Sequence, residues 1–253
     1  MRIAALLIGI ICGIAGAVLG SPRPATAAEP STASTTTAAA AAAPVAAAAP
    51  VASSTSSDWH TTVRNFAAEH FKNPAWGYSH SMRDYALARE LAAADHVALD
   101  DDVLFAAAYL HDMAAFKPWE DEKLDHSDVA AGIVDTVLKG TGFPMSKIDM
   151  VRGAIRTHMY YRDPAGPEAL YLHDADALDW LGAIGVARVM ALVDPNGGDP
   201  DGPKAVKMLE DNLNSVPPRV LSPAGRARVA PLKAELEAFL RDLRRESENL
   251  RTL

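Results

Sequence analysis

Ala106-Ala107-Ala108-Tyr109-Leu110-His111-Asp112-Met113-Ala114 reads as the end of an apolar, alanine-rich helix that buries its body and presents a histidine beside an aspartate. Neighbouring residues on a helix diverge by about 100°. His111 and Asp112 therefore share no face, but they offer two roughly perpendicular ligands to one ion held against the helix. Such an angle suits octahedral coordination. A His-Asp pair also occurs as an ordinary surface ion pair, so the other histidines and aspartates decide its meaning.

Working outward, Asp58 is placed to cap a first helix ending near Phe71, with Trp59, Val63, Phe66 and Ala67 as its apolar stripe. Asn73-Pro74-Ala75-Trp76-Gly77 breaks it, and a second helix follows from about Ser79 to His96. Met82, Tyr85, Ala86 and Leu91 are expected to face the core there, with His80 in the first turn. Asp100, Asp101 and Asp102 favour the start of the third helix through its dipole, and that helix ends at His111-Asp112. The irregular Lys117-Pro118-Trp119-Glu120 comes next, the kind of loop that carries substrate contacts.

A fourth helix, about Ser127 to Lys139, stops at Gly140-Thr141-Gly142 and has His126 at its entrance. Ser146-Lys147-Ile148-Asp149 has the form of a capping box opening a helix to about Met159, with His158 in its last turn. Leu170-Tyr171-Leu172-His173-Asp174-Ala175-Asp176-Ala177-Leu178-Asp179-Trp180 continues through Leu181 to Arg188, and its glycines imply close helix packing. Carboxylates set among Leu, Ala and Trp are costly to bury unless paired or metal-bound. The terminal helix, about Pro223 to Glu248, packs through Val229, Leu232, Leu236, Phe239, Leu240 and Leu243. Nothing alternates with period two for long, which predicts an all-α fold.

The 253 residues begin with Met1-Arg2-Ile3 and an apolar, glycine-containing run to Gly20, followed by Ala25-Thr26-Ala27-Ala28. A positive residue, an apolar stretch and an Ala-x-Ala ending describe a secretory signal peptide, 1–28. Left uncleaved, the run is just long enough to anchor the chain in a bilayer. Ile11 before Cys12 is too bulky for a lipoprotein cleavage site. Residues 29–57 are almost wholly Ala, Pro, Ser, Thr and Val, too poor in bulky apolar surface to offset the entropy of ordering, and read as a disordered linker. The folded domain is expected over 58–253, exported to the periplasm or beyond.

Before residue 58 lie two of the 24 basic and one of the 32 acidic residues, leaving 22 against 31 in the domain. That acidic balance, without a basic block, argues against a nucleic-acid polymer as partner. The domain also has no cysteine. Disulfides cannot hold it and thiolates cannot ligate its metal, so histidine and carboxylate remain.

Taken together, His80, His111-Asp112, His126, His158 and Asp176 stand in that order on or beside separate helices. The pattern resembles the HD-domain metal-dependent phosphohydrolase superfamily, whose signature is H…HD…D. Ala108-Tyr109-Leu110-His111-Asp112 carries it, as does Asp174-Ala175-Asp176-Ala177-Leu178-Asp179 with Leu181 to Arg188. The second stretch is similar to that of small standalone bacterial HD hydrolases. The resemblance implies a helical bundle holding a divalent ion such as Mn²⁺ or Fe²⁺ on His80, His111, Asp112 and Asp176. Asp174 is the alternative final ligand, or an acceptor that orients a histidine. His126 and His158 match the extra histidines with which some members hold a second metal; one metal, with these two contacting phosphate, is the preferred reading. Met113-Ala114 departs from the usual Ile-Gly after His-Asp, and a signal peptide is unusual in a largely cytoplasmic family.

The chemistry implied is attack of a metal-activated water on a small phosphate ester or nucleotide, at a site whose catalytic group is Asp112. Arg83 and Lys117 are the candidates to neutralise the phosphate by their positions. Two alternatives remain: a di-iron oxygenase, because members with extra histidines use two irons and dioxygen, and a non-catalytic metal-binding domain at the cell surface.

Overall fold

Asp58 starts the first helix as its position predicts: its carboxylate accepts the His60 amide hydrogen, and α1 runs Trp59–His70. The structure, a computed structural model, describes residues 58–253, so the expected signal peptide and linker lie outside the described residues. The chain continues as α2 (Tyr78–Ala94), α3 (Asp101–Leu110), α4 (His126–Ile133), α5 (Asp135–Leu138), α6 (Ile148–Arg156), α7 (Pro167–Asp179), α8 (Gly182–Met190), α9 (Gly202–Ser215) and α10 (Pro223–Glu246). Among the described residues there is no strand, and the all-α expectation holds. None of these helices is long and apolar enough to cross a membrane.

The central element is α3, in which every residue from Val103 to Leu110 is buried. A helix apolar all round needs cover on every side, and α1, α2, α6 and α7 all pack on it. Its start is fixed by Asp100, which accepts the Asp102 and Val103 amide hydrogens. Lys147 Nζ, at 2.8 Å from both Asp100 and Asp102, ties that start to the entrance of α6. The α-helix gives way at His111 to a single 3₁₀ turn, Met113–Ala115. The alanines of its middle leave little side-chain bulk between the neighbouring helices and the axis.

The face of α2 differs from the expected one. Met82 and Ala86 are exposed, and the buried residues are His80, Ser81, Asp84, Ala88, Leu91 and Ala92. The inward stripe keeps helical spacing but is polar over its first half, so apolar periodicity turns the helix onto the wrong side. Other boundaries shift too. Val134 interrupts the expected helix from Ser127 to Lys139, giving α4 and α5. Ser146 does not cap: Met145–Lys147 forms a 3₁₀ turn, and α6 starts without a side-chain cap, leaving His158 just past its end.

The dense segment from Leu170 to Arg188 splits at Trp180-Leu181 into α7 and α8. Gly182 turns the corner with φ of 59°, and a Cβ there would lie 2.7 Å from Leu232 Cδ2 on α10, so the expected close helix packing is present. At the start of α2 the constraint is backbone: a Cβ on Gly77 would sit 2.3 Å from the Asn73 carbonyl oxygen and 2.6 Å from that of Phe71. Gly77→Ala is expected to destabilise the protein by about 1–3 kcal/mol, the usual cost of overpacking. Urea unfolding reads this directly, and an unchanged midpoint would contradict the close approach.

Candidate metal centre

Helix geometry brings polar residues from five helices to one buried place. His80 and Asp84, four residues apart on α2, share a face. His111 and Asp112 stand at the end of α3, Asp176 in the middle of α7, His158 just beyond α6, and His126 in the first turn of α4. All are buried except His126, whose side chain is 14% exposed.

The donors face one another closely. His80 Nε2 lies 3.3 Å from His111 Nε2, 3.1 Å from Asp84 Oδ2, 3.3 Å from Asp176 Oδ1 and 3.6 Å from Asp112 Oδ2. His111 Nε2 is 3.3 Å from Asp112 Oδ2 and 3.7 Å from Asp84 Oδ2. The other oxygen of Asp112 turns away, lying 3.2 Å from His126 Nε2 and 3.5 Å from His158 Nε2. Asp112 thus stands between two groups of histidines, with one oxygen towards each.

Backbone and carboxylate acceptors fix which ring nitrogen of each histidine faces inward. His111 Nδ1 donates to the Ala108 carbonyl at 2.9 Å, His158 Nδ1 to that of Ile155 at 2.6 Å, and His80 Nδ1 to Asp179 Oδ2 at 2.8 Å. Each Nε2 is left to point into the cluster, the arrangement that orients imidazole ligands around metals. Asp179 is itself held by Arg83, through Nε and Nη2 at 2.8 Å each, and by Arg188 Nη1 at 3.0 Å. The Arg188 guanidinium lies 3.6 Å from the Trp180 ring centre, and its Nε donates to the Ala75 carbonyl. That arginine fastens the loop before α2 to α8.

Charge balance in the cluster is set by carboxylates taken out of water. Burial lowers the affinity of His111 for a proton, but the charges of Asp112, Asp84 and Asp176 outweigh it and push its pKa up to about 10. His80 is raised against burial and Arg188 by Asp84, Asp176 and Asp179. Asp112 is held well below the carboxylate range against burial by His111, His126 and His158, whereas burial drives Asp84 up to about 7. His158 is lowered by burial, so it stays neutral. An entering cation would replace the proton on His111.

The residues fit a divalent ion. Buried polar atoms are normally hydrogen-bonded, yet both oxygens of Asp84, Asp176 Oδ2 and His158 Nε2 have no hydrogen-bond partner. With ligand bonds of about 2.1 Å, neighbouring octahedral donors stand about 3 Å apart, and the separations here approach that from above. Imidazole nitrogen with carboxylate oxygen is a donor set for Mn²⁺, Fe²⁺ and similar ions.

The sequence candidates are distributed as follows. His80, His111, Asp112 and Asp176 converge, and His126 and His158 join them through Asp112. Asp174 is elsewhere: it accepts from His173 Nδ1 and from the Leu221 and Ser222 amides, anchoring the chain before α10. Arg83 turns its Nε–Nη2 edge to Asp179. Lys117 is 85% exposed and pairs with Glu120 at 3.3 Å. Asp84 and Asp179 were not among the candidates. The His80-x-x-x-Asp84 spacing was the available signal for the first, and the third carboxylate of Asp174-x-Asp176-x-x-Asp179 for the second. We expect Asp174→Ala to lower stability by about 1–3 kcal/mol, since it strands two amide donors, with metal content unchanged. Metal loss in a folded Asp174→Ala protein would return Asp174 to the ligand set.

The HD domain family model matches residues 77–181, a span that begins at the start of α2 and ends just after α7. Bacillus subtilis YpgQ, solved in complex with ADP, is 20% identical at a TM-score of 0.57, the match covering 74% of this chain and 97% of that one. An HD-superfamily hydrolase from Bacillus thuringiensis gives 20% and 0.53, over 75% and 95%. At these identities the likeness is one of fold. A predicted HD superfamily hydrolase from an uncultured Thermotogales bacterium is 30% identical over 61% of this chain and 82% of that one, with a TM-score of 0.41. No curated protein matches the chain.

Proposed function

Residues 77–181 of the chain match the HD domain family, and from that premise we propose that it is a metal-dependent phosphohydrolase cleaving a small phosphate ester or nucleotide. The observation that carries this reading is the convergence of His80, His111, Asp112 and Asp176, with Nε2 of both histidines directed inward by acceptors behind them. These four would hold the ion. Bound there, a divalent ion supplies Lewis acidity, making a water easier to deprotonate and polarising a phosphoryl oxygen. The ADP complex of YpgQ supports a phosphorylated small molecule as the ligand class.

The chain's own groups have distinct parts in this proposal. Asp112 stays ionised and, through Oδ1, orients His126 Nε2. His126, partly exposed and with its proton affinity raised by that carboxylate against burial, would contact a phosphate oxygen. Arg83 acts through Asp179, keeping the carboxylate that orients His80 in place. Lys117, exposed on the loop after the His-Asp pair and paired with Glu120, would be available to an approaching phosphate.

One observation favours a second ion. His158 donates its Nδ1 proton to Ile155, so its neutral ring has only a lone pair to offer at Nε2 and no proton for a phosphate. Asp112 Oδ1, His126 and His158 would then ligate that ion, and two irons would bring the oxygenase alternative forward.

Metal analysis of the purified full chain tests these readings together. His111→Ala and Asp112→Ala should each abolish metal retention while leaving the helical circular dichroism intact, and wild-type metal content in either would remove the core of the proposal. With one ion, His126→Ala lowers turnover and leaves stoichiometry alone; about two metals in the wild type and about one in His126→Ala would establish the second site. Release of phosphate from a panel of phosphate esters with Mn²⁺ or Fe²⁺ separates hydrolase from binding domain.

We also propose that the protein acts outside the cytoplasm, on the strength of the Arg2, apolar-run and Ala-x-Ala pattern. Mass spectrometry of the mature protein should find an N-terminus near residue 28. Full-length protein beginning at Met1 in the soluble cytoplasm would refute export.

A further inference from the structure

One buried ionisable side chain in the cluster has no part in the reading above. Asp84 is fully buried, and neither of its oxygens has a hydrogen-bond partner. The adjacent cation, Arg83, is turned to Asp179 instead. A carboxylate out of water needs donors, a counter-charge or a metal. What lies against Asp84 is the inward edge of the two imidazoles, His80 Nε2 at 3.1 Å and His111 Nε2 at 3.7 Å. One donor atom from each of His80, Asp84, His111 and Asp176 falls within 4.8 Å of all the others, close enough to share one ion.

We propose that Asp84 is a further ligand of the ion held by His80, His111, Asp112 and Asp176, so that two imidazoles and three carboxylates select a hard, six-coordinate ion such as Mn²⁺. The proposal rests on the metal reading above. Its geometric basis is that Asp84 Oδ2 stands from His80 Nε2 at nearly the spacing of adjacent octahedral donors, as Asp176 Oδ1 and Asp112 Oδ2 do. A third carboxylate raises the oxygen content of the set, which favours Mn²⁺ over the four-coordinate nitrogen- and sulfur-rich sites that suit Zn²⁺.

Calorimetric titration of the metal-free full chain with Mn²⁺ and with Zn²⁺ tests this, comparing wild type with Asp84→Asn. Asp84→Asn keeps the shape and removes the charge, so the metal-free variant should melt no lower than wild type. Its Mn²⁺ affinity should fall at least about tenfold, the smallest loss expected even for a residue that only orients a ligand, and its Zn²⁺ affinity should fall less. Mn²⁺ should accordingly raise its melting temperature less than it raises that of wild type. Unchanged or tighter Mn²⁺ binding by folded Asp84→Asn would overturn the proposal, and an equal or greater loss for Zn²⁺ would overturn its claim of hard-ion selection. Infrared difference spectra of wild type provide a check that needs no variant: Mn²⁺ should shift three aspartate carboxylate bands, and a shift of only two would contradict the assignment. If wild type binds no divalent ion, the metal reading itself has failed, a result distinct from the failure of Asp84 alone.

Discussion

Three carboxylates, Asp84, Asp112 and Asp176, are buried around the inward edges of two imidazoles, and that concentration of negative charge away from water is what the rest of the structure must accommodate. Like charges this close repel strongly in a low-dielectric interior. Without a cation the protein answers with protons, which is why His111 holds one up to a pKa of about 10 and Asp84 is driven to about 7, chiefly by burial. A divalent ion answers the same need with more charge at the centre of the cluster.

Rigidity around the centre comes from apolar packing on one side and an ionic layer on the other. Because α3 is buried from Val103 to Leu110, its end cannot tilt without opening the core, so His111 and Asp112 are held at fixed depth. Behind His80, Asp179 gathers Arg83 and Arg188, and Arg188 in turn lies on Trp180 and holds the Ala75 carbonyl. The start of α2 is thereby tied to α7 and α8, two of the elements on which the placement of Asp176 depends. A buried guanidinium so placed is stabilised only while Asp179 remains ionised.

Much of this was legible in the sequence. Alanine-rich α3 with its terminal His-Asp pair, the capping aspartate at 58, the acidic run at 100–102 and the order of histidines and aspartates pointed to the helical fold and the members that converge. Misreadings arose where polar residues face inward. On α2 an apolar stripe through Met82 and Ala86 competed with the true stripe through His80, Asp84 and Ala88, and only tertiary contact shows that a polar face can be the buried one. Asp174 and Asp176 have the same local company, yet two residues along a helix point about 200° apart, and it is the packing of α7 that sends one to the chain before α10 and the other to the centre. Ser146 does not cap, and Lys147 beside it is held by Asp100 and Asp102, a partnership across the fold that no local pattern records.

The central claim is that these buried donors exist to hold a divalent ion, and its most direct test is an anomalous difference map. From crystals of the protein grown with Mn²⁺, with data collected at the Mn absorption edge, the account predicts a peak enclosed by His80 Nε2, His111 Nε2, Asp112 Oδ2 and Asp176 Oδ1. A map with no peak among these atoms, or with Mn²⁺ bound only at surface carboxylates, would contradict it.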